Sequence, residues 1–237
     1  MRVQRLKELR EAIAAVEGGS KGMDHSGLPL PPGVHEWFLD GMDARRWVPP
    51  LGILLYLVRE ALAGPSAGAA VWIGRRCWPH LEVVERALLR RCVFVDPPDD
   101  AGRLWAIDLA ARCAGAVVVA DGSGLDMAAS RRLQLAAEAG GGLVLCARPA
   151  AELKRLSAAS ARWLVRSAPS AGRNPRWTVE LLRCKRKEPG SVFAAKTGPG
   201  SWTVEWKGAQ RGVVVHAALV ERPGPAALPA AAGLRSA

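Results

Sequence analysis

The sequence predicts an α/β fold, a mostly parallel sheet flanked by helices with antiparallel strands at its C-terminal edge. Two patterns carry that prediction. Between residues 51 and 148, short β-branched runs without polar alternation are separated by segments of helical length. That is the pattern of βαβ units whose strands are covered on both faces. After residue 175 apolar and polar residues alternate, as in antiparallel strands.

The elements follow in order. Val3, Leu6, Leu9, Ile13 and Val16 form one stripe of an N-terminal amphipathic helix over 1–19, stopped by Gly18 and Gly19. Residues 20–33, rich in Gly, Pro and Ser, read as a linker. "GVHEWF" then leads through the turn "DGMDARRWVPP" into a helix over Leu51–Ala63. Strands are expected at Ala70–Gly74, Cys92–Asp96, Ala116–Asp121 and Leu143–Arg148. Helices are expected at 79–91, 100–115 and 125–141 between them. "RWTVELLRCKRK", "SWTVEWKG" and "GVVVHAAL" supply the antiparallel strands. One domain over 34–220 is expected, and the Pro/Ala/Gly-rich stretch 221–237 reads as a disordered tail.

No apolar run approaches the roughly 20 residues of a bilayer span, and the charged N-terminus is not a secretory signal, so no membrane partner is expected. The five cysteines form no Cys-x-x-Cys pair and read as small buried hydrophobes in a reducing cytoplasm. Nearly all of the net charge of +11 sits in the last third, where residues 151–237 carry a net +10. A basic region of that kind suits a polyanionic partner, nucleic acid first.

A phosphate-binding loop needs Gly-x4-Gly-Lys-Ser/Thr, and no lysine follows a glycine anywhere in the chain. Pro49 and Pro50 remove two N–H donors from the place where a cradle would stand. No nucleotide-binding residue, catalytic set or metal site is therefore expected, and no ATP or Mg²⁺ cofactor. Asp121 ends an apolar strand as a Mg²⁺-holding Asp would, but reads as a degenerate strand-end or turn residue. Arg183, Lys185, Arg186 and Lys187 put four basic residues in five positions, flanked by Trp177 and Trp202. Basic side chains beside aromatic faces suit single-stranded DNA; a solvated edge strand is the plain alternative. Arg131 and Arg132 are adjacent on a helix and point to different sides, so at least one faces solvent or a partner. Arg45, Arg46 and Trp47 occupy the turn before the first long helix and are a second candidate partner surface.

"LPLPPGVHEWF", "VWIGRRCWP", "RLWAIDLAARC", "GLDMAASRRLQLAAEAGG" and "PRWTVELLRCKRKEPGS" together resemble the ImuA family, over about residues 1–220. The resemblance implies a RecA-like core without its phosphate loop. It implies a non-catalytic accessory role in SOS-induced translesion DNA synthesis, in the cytoplasm. The implied partners are an ImuB-like relative of Y-family polymerases and an error-prone replicative-type polymerase, with RecA and single-stranded DNA as further candidates. Two other readings stand beside it, a SulA-like inhibitor of cell division and an atypical RecA-type DNA-dependent ATPase.

Overall fold

The computed structural model describes residues 30–41, 46–63, 68–170, 174–185, 201–206 and 213–217. The expected helix over 1–19, most of the linker, Arg45, Arg186, Lys187 and the tail lie outside the described residues.

The chain enters as β1 (Gly33–Leu39) and then α1 (Leu51–Leu62). β2 (Ala70–Ile73), a one-turn α2 (Arg86–Leu89), β3 (Cys92–Val95) and α3 (Asp100–Ala111) follow. β4 (Val117–Asp121), α4 (Met127–Gly140) and β5 (Leu143–Pro149) complete the alternating part. β6 (Ala161–Ala168), β7 (Arg176–Cys184), β8 (Ser201–Trp206) and β9 (Val213–Ala217) close the sheet. The described strands form one sheet in the order β3-β2-β4-β5-β1-β6-β7-β8-β9. The first six of that order are mutually parallel, and each step from β6 to β9 is antiparallel.

Both faces of the parallel part are covered, which is why its strands read as unbroken apolar runs. On one face α1 packs against Trp37, Trp72, Val119, Trp163 and Trp202. On the other, Ile107 of α3 and Leu133 of α4 pack against Val34, Val118 and Val144. Asp99 and Asp126 cap α3 and α4, accepting hydrogen bonds from the Gly102 and Ala129 amides at 2.7 Å each. Gly140 marks where the two helices touch most closely: a Cβ there would stand 2.5 Å from the Ala111 carbonyl oxygen.

Three expectations change. Residues 79–91 are not one helix but a 3₁₀ turn at Leu81–Val83, an extended link at Val84 and Glu85, and the single turn α2. Leu81 and Val83 stay exposed while only Val84 and Leu88 reach the core, so the segment has too little to bury for a full helix. β6 has no counterpart in the sequence reading. Cys77 and Cys146 are buried as expected, but Cys113 is exposed. Among the described residues no helix is long and apolar enough to cross a membrane.

Candidate functional site

In open parallel sheets ligands bind beyond the carboxyl ends of the strands, where successive connections leave on opposite faces. The segment after β1 passes to the α1 face, while those after β4 and β5 pass to the α3–α4 face. The ends of β1, β5, β4 and β2 therefore frame the candidate site.

At the end of β1 the sequence places Pro49 and Pro50 immediately before α1. Both are buried, and Pro50 occupies the N-cap position with no side-chain hydrogen bond. The Leu51 amide donates to the Pro49 carbonyl at 2.8 Å. The Ile53 and Leu54 amides donate to the Pro50 carbonyl at 3.0 and 3.1 Å. The donors that a phosphate would meet at a helix start are thus bonded within the chain. Trp177 covers the same turn, and a Cβ on Gly52 would approach its ring to 3.0 Å. Trp47 is buried in the core. Arg76 lies across it, its guanidinium carbon 5.0 Å from the ring centre and its Nη1 donating to the Trp47 carbonyl at 3.0 Å.

Arg76 also reaches Asp121 at the end of β4, with Nε 3.5 Å from Oδ2. Asp121 is buried and bent into the following turn: its Oδ1 accepts from the Ser123 amide at 2.9 Å and the Ser123 hydroxyl at 2.6 Å. Arg103 of α3 stands 4.0 Å from Oδ2 and donates to the Ser123 carbonyl at 2.8 Å. Asp121 is held by the chain itself, in the turn role its sequence position suggests. Burial raises the Cys146 thiol to about 12 and also raises Cys77, so neither beside this crevice is a ready nucleophile.

Behind the crevice lies a buried ion network that sequence reasoning did not find. Glu36 of β1 accepts from Arg148 Nη1 at 2.6 Å, Arg162 Nε at 2.8 Å and the Ser157 hydroxyl at 2.7 Å. Arg148 also donates to Glu152 from Nη2 at 2.6 Å and to the Leu125 carbonyl at 2.7 Å. Glu152 accepts from the Gly124 amide at 2.9 Å. Burial disfavours the Arg148 charge, but Glu36 and Glu152 outweigh it and carry its pKa above the ordinary arginine value. Two carboxylates and two guanidiniums thereby tie β1, β5, β6 and the turn after β4 together. The only sequence sign was charged residues inside apolar strands.

The other predicted site residues fall as follows. Arg183 donates from Nη2 to the Ser157 and Ala159 carbonyls at 2.9 and 3.2 Å, and Lys185 donates to the Ala158 carbonyl at 2.7 Å. Burial lowers the pKa of both. Trp202 is buried 5.9 Å from Trp163, and Trp177 is partly buried on α1, so both rings serve the core rather than an open stacking face. Arg46 is exposed while Trp47 is buried, so the two do not share one outward surface. Arg131 is exposed; Arg132 is half-exposed and meets Asp108 of α3 at 3.2 Å.

No family model matches the chain. Protein ImuA from two strains of Caulobacter vibrioides, NA1000 and ATCC 19089, is 35% identical to it over 199 residues, covering 73% of this chain and 79% of the relative. Among solved structures, SulA from Pseudomonas aeruginosa is similar with a TM-score of 0.37 and 22% identity, over 49% of this chain and 97% of that one.

Proposed function

The chain belongs to the ImuA family, and on that premise we propose that it is a non-catalytic accessory protein of DNA-damage-induced mutagenesis that binds an ImuB-like polymerase relative. The observation that carries the non-catalytic part is the start of α1. Its Leu51, Ile53 and Leu54 amides are bonded to Pro49 and Pro50, and Arg76 spans from Trp47 to Asp121 over the place a phosphate would occupy. The sequence adds that no Lys stands there to neutralise one. What remains is a rigid α/β body with exposed helices, which suits a binding role. DNA contact draws on the net +10 of residues 151–237. Because Arg183 and Lys185 are engaged with the carbonyls of Ser157 to Ala159, that contact falls to Arg186 and Lys187, outside the described residues.

The test uses the full chain and the ImuB-like protein of the same organism. Co-purification of the two, a drop in damage-induced mutation frequency on deleting the gene, and background ATP hydrolysis with and without single-stranded DNA are expected. Absence of binding to the ImuB-like protein would overturn the adaptor reading. DNA-stimulated hydrolysis that disappears in Asp121→Asn would replace it with the ATPase reading.

A further inference from the structure

The outward faces of α3 and α4 carry large apolar side chains that the core does not use. Trp105 is 60% exposed and Leu109 is 50% exposed on α3, and Leu135 is 55% exposed on α4. Trp105 and Leu109 are one turn apart and share a stripe, as do Arg131 and Leu135. Arg132 lies on the flank of α4 that meets α3, where it joins Asp108. At the amino ends of the two helices the surface opens into a groove of about 400 Å³ lined by Leu104, Leu125, Ala128, Ala129, Arg103 and Arg132. An apolar surface of this kind, rimmed by charge and centred on a tryptophan, is the composition of a protein-binding face.

Its charge selects the occupant. Arg112 and Arg132 both bond the same carboxylate, Asp108, each at 3.2 Å. Burial would raise the Asp108 pKa, but the two guanidiniums outweigh it and lower it, so that carboxylate stays ionised and fully engaged. Two half-exposed arginines therefore share one negative charge, and Arg131 stands exposed on the same outward side of α4. Glu138 lies on the far flank, near Lys185 and bonded to Gln134. A second copy would bring these arginines against their own images on a chain of net charge +11. A segment bearing carboxylates on either side of apolar anchors meets both features.

We propose that the α3–α4 face docks an acidic, apolar-anchored segment of the chain's protein partner, with Trp105 and Leu109 as the apolar contacts and Arg131 and Arg132 as the charged ones. This rests on the adaptor reading and adds to it where the partner sits. Binding of the full chain to the ImuB-like protein is to be measured for wild type, Trp105→Ala/Leu109→Ala and Arg131→Glu, alongside their thermal melts. The double variant is expected to bind about tenfold more weakly or worse with an unchanged melt. Arg131→Glu is expected to weaken binding and reduce its dependence on salt. Hydrogen exchange in wild type should slow across 100–112 and 127–140 when the partner is added, a readout independent of the variants' folding. If wild type fails to bind, the adaptor reading falls and the docking surface with it. If wild type binds and the variants bind equally well, with exchange unchanged on both helices, only the docking surface is overturned. Concentration-dependent dimerisation of wild type that Trp105→Ala/Leu109→Ala abolishes would assign the face to a second copy and overturn the proposal. Faster exchange of the two helices in Leu6→Asp/Leu9→Asp without partner would assign it to the chain's own first segment, with the same consequence.

Discussion

His35 and Glu36 are neighbours on β1, equally buried at 1% and 0% exposure, and they point to opposite faces of the sheet. They meet opposite electrostatic fates. On the α1 face His35 has no carboxylate beside it. Its Nε2 lies 2.8 Å from the Pro31 carbonyl and the Trp163 indole lies 3.4 Å from Nδ1. Burial pushes its pKa down to about 4, against a smaller upward pull from the Pro31 carbonyl. On the other face Glu36 faces two guanidiniums and a hydroxyl. Burial alone does not decide whether a group is charged; the partners that the fold supplies do. One face is therefore an apolar, tryptophan-rich pack in which Trp37 and Trp163 stack with ring centres 5.1 Å apart. The other is a pack held at its carboxyl end by ions.

The strongest way to break this contrast is Arg148→Met. It leaves Glu36 with Arg162 and Ser157 alone and strips Glu152 of its buried cation. Removing one partner of a buried network costs about 3–5 kcal/mol, read as a lower urea midpoint. A loss under about 1 kcal/mol would mean that the network behaves like a surface ion pair and that the two faces do not differ in this way.

The next largest effect belongs to His35 and depends on pH. Its folded pKa of about 4 lies below its unfolded value of 6.5, so the folded state holds fewer protons between the two. Its contribution is complete above pH 6.5 and is lost as pH falls from there through 4. At 1.36 kcal/mol per unit the loss amounts to about 3 kcal/mol. Urea denaturation at pH 7.0 and 4.5 on wild type and His35→Leu measures it. The variant should show a flatter pH dependence; an equal slope would assign the acid sensitivity to other groups.

The same contrast separates what was legible in the sequence from what was not. β2, β4 and β5 are covered on both faces by apolar neighbours, so their runs announced themselves, and the capping aspartates Asp99 and Asp126 fall where α3 and α4 begin. β6 did not announce itself, because Arg162 interrupts its apolar run and its reason lies at Glu36, far away in sequence. Arg148 was read only as the end of a strand for the same reason. Trp177 and Trp202 looked like stacking faces because aromatic residues among charged ones do; strand pairing with β6 and β8 turned them inward. At the α1 start the reading from residues and the geometry meet, since both the missing lysine and the bonded amides come from local sequence.

The smallest of these effects sharpens the contrast from within the ion-bearing face, at its apolar part. Gly140 ends α4 against the backbone of α3, and a Cβ would stand 2.5 Å from the Ala111 carbonyl and 2.7 Å from the Arg112 Cα. Those neighbours are backbone, not the end of a flexible side chain, so Gly140→Ala can be relieved only by moving one helix from the other. Overpacking of this kind costs about 1–3 kcal/mol, less than stripping the ion network. Because the displacement also pulls Arg132 away from Asp108, hydrogen exchange should quicken in α3 and α4 and stay unchanged in α1. Faster exchange spread evenly over α1, α3 and α4 would show instead that the two faces unfold as one unit.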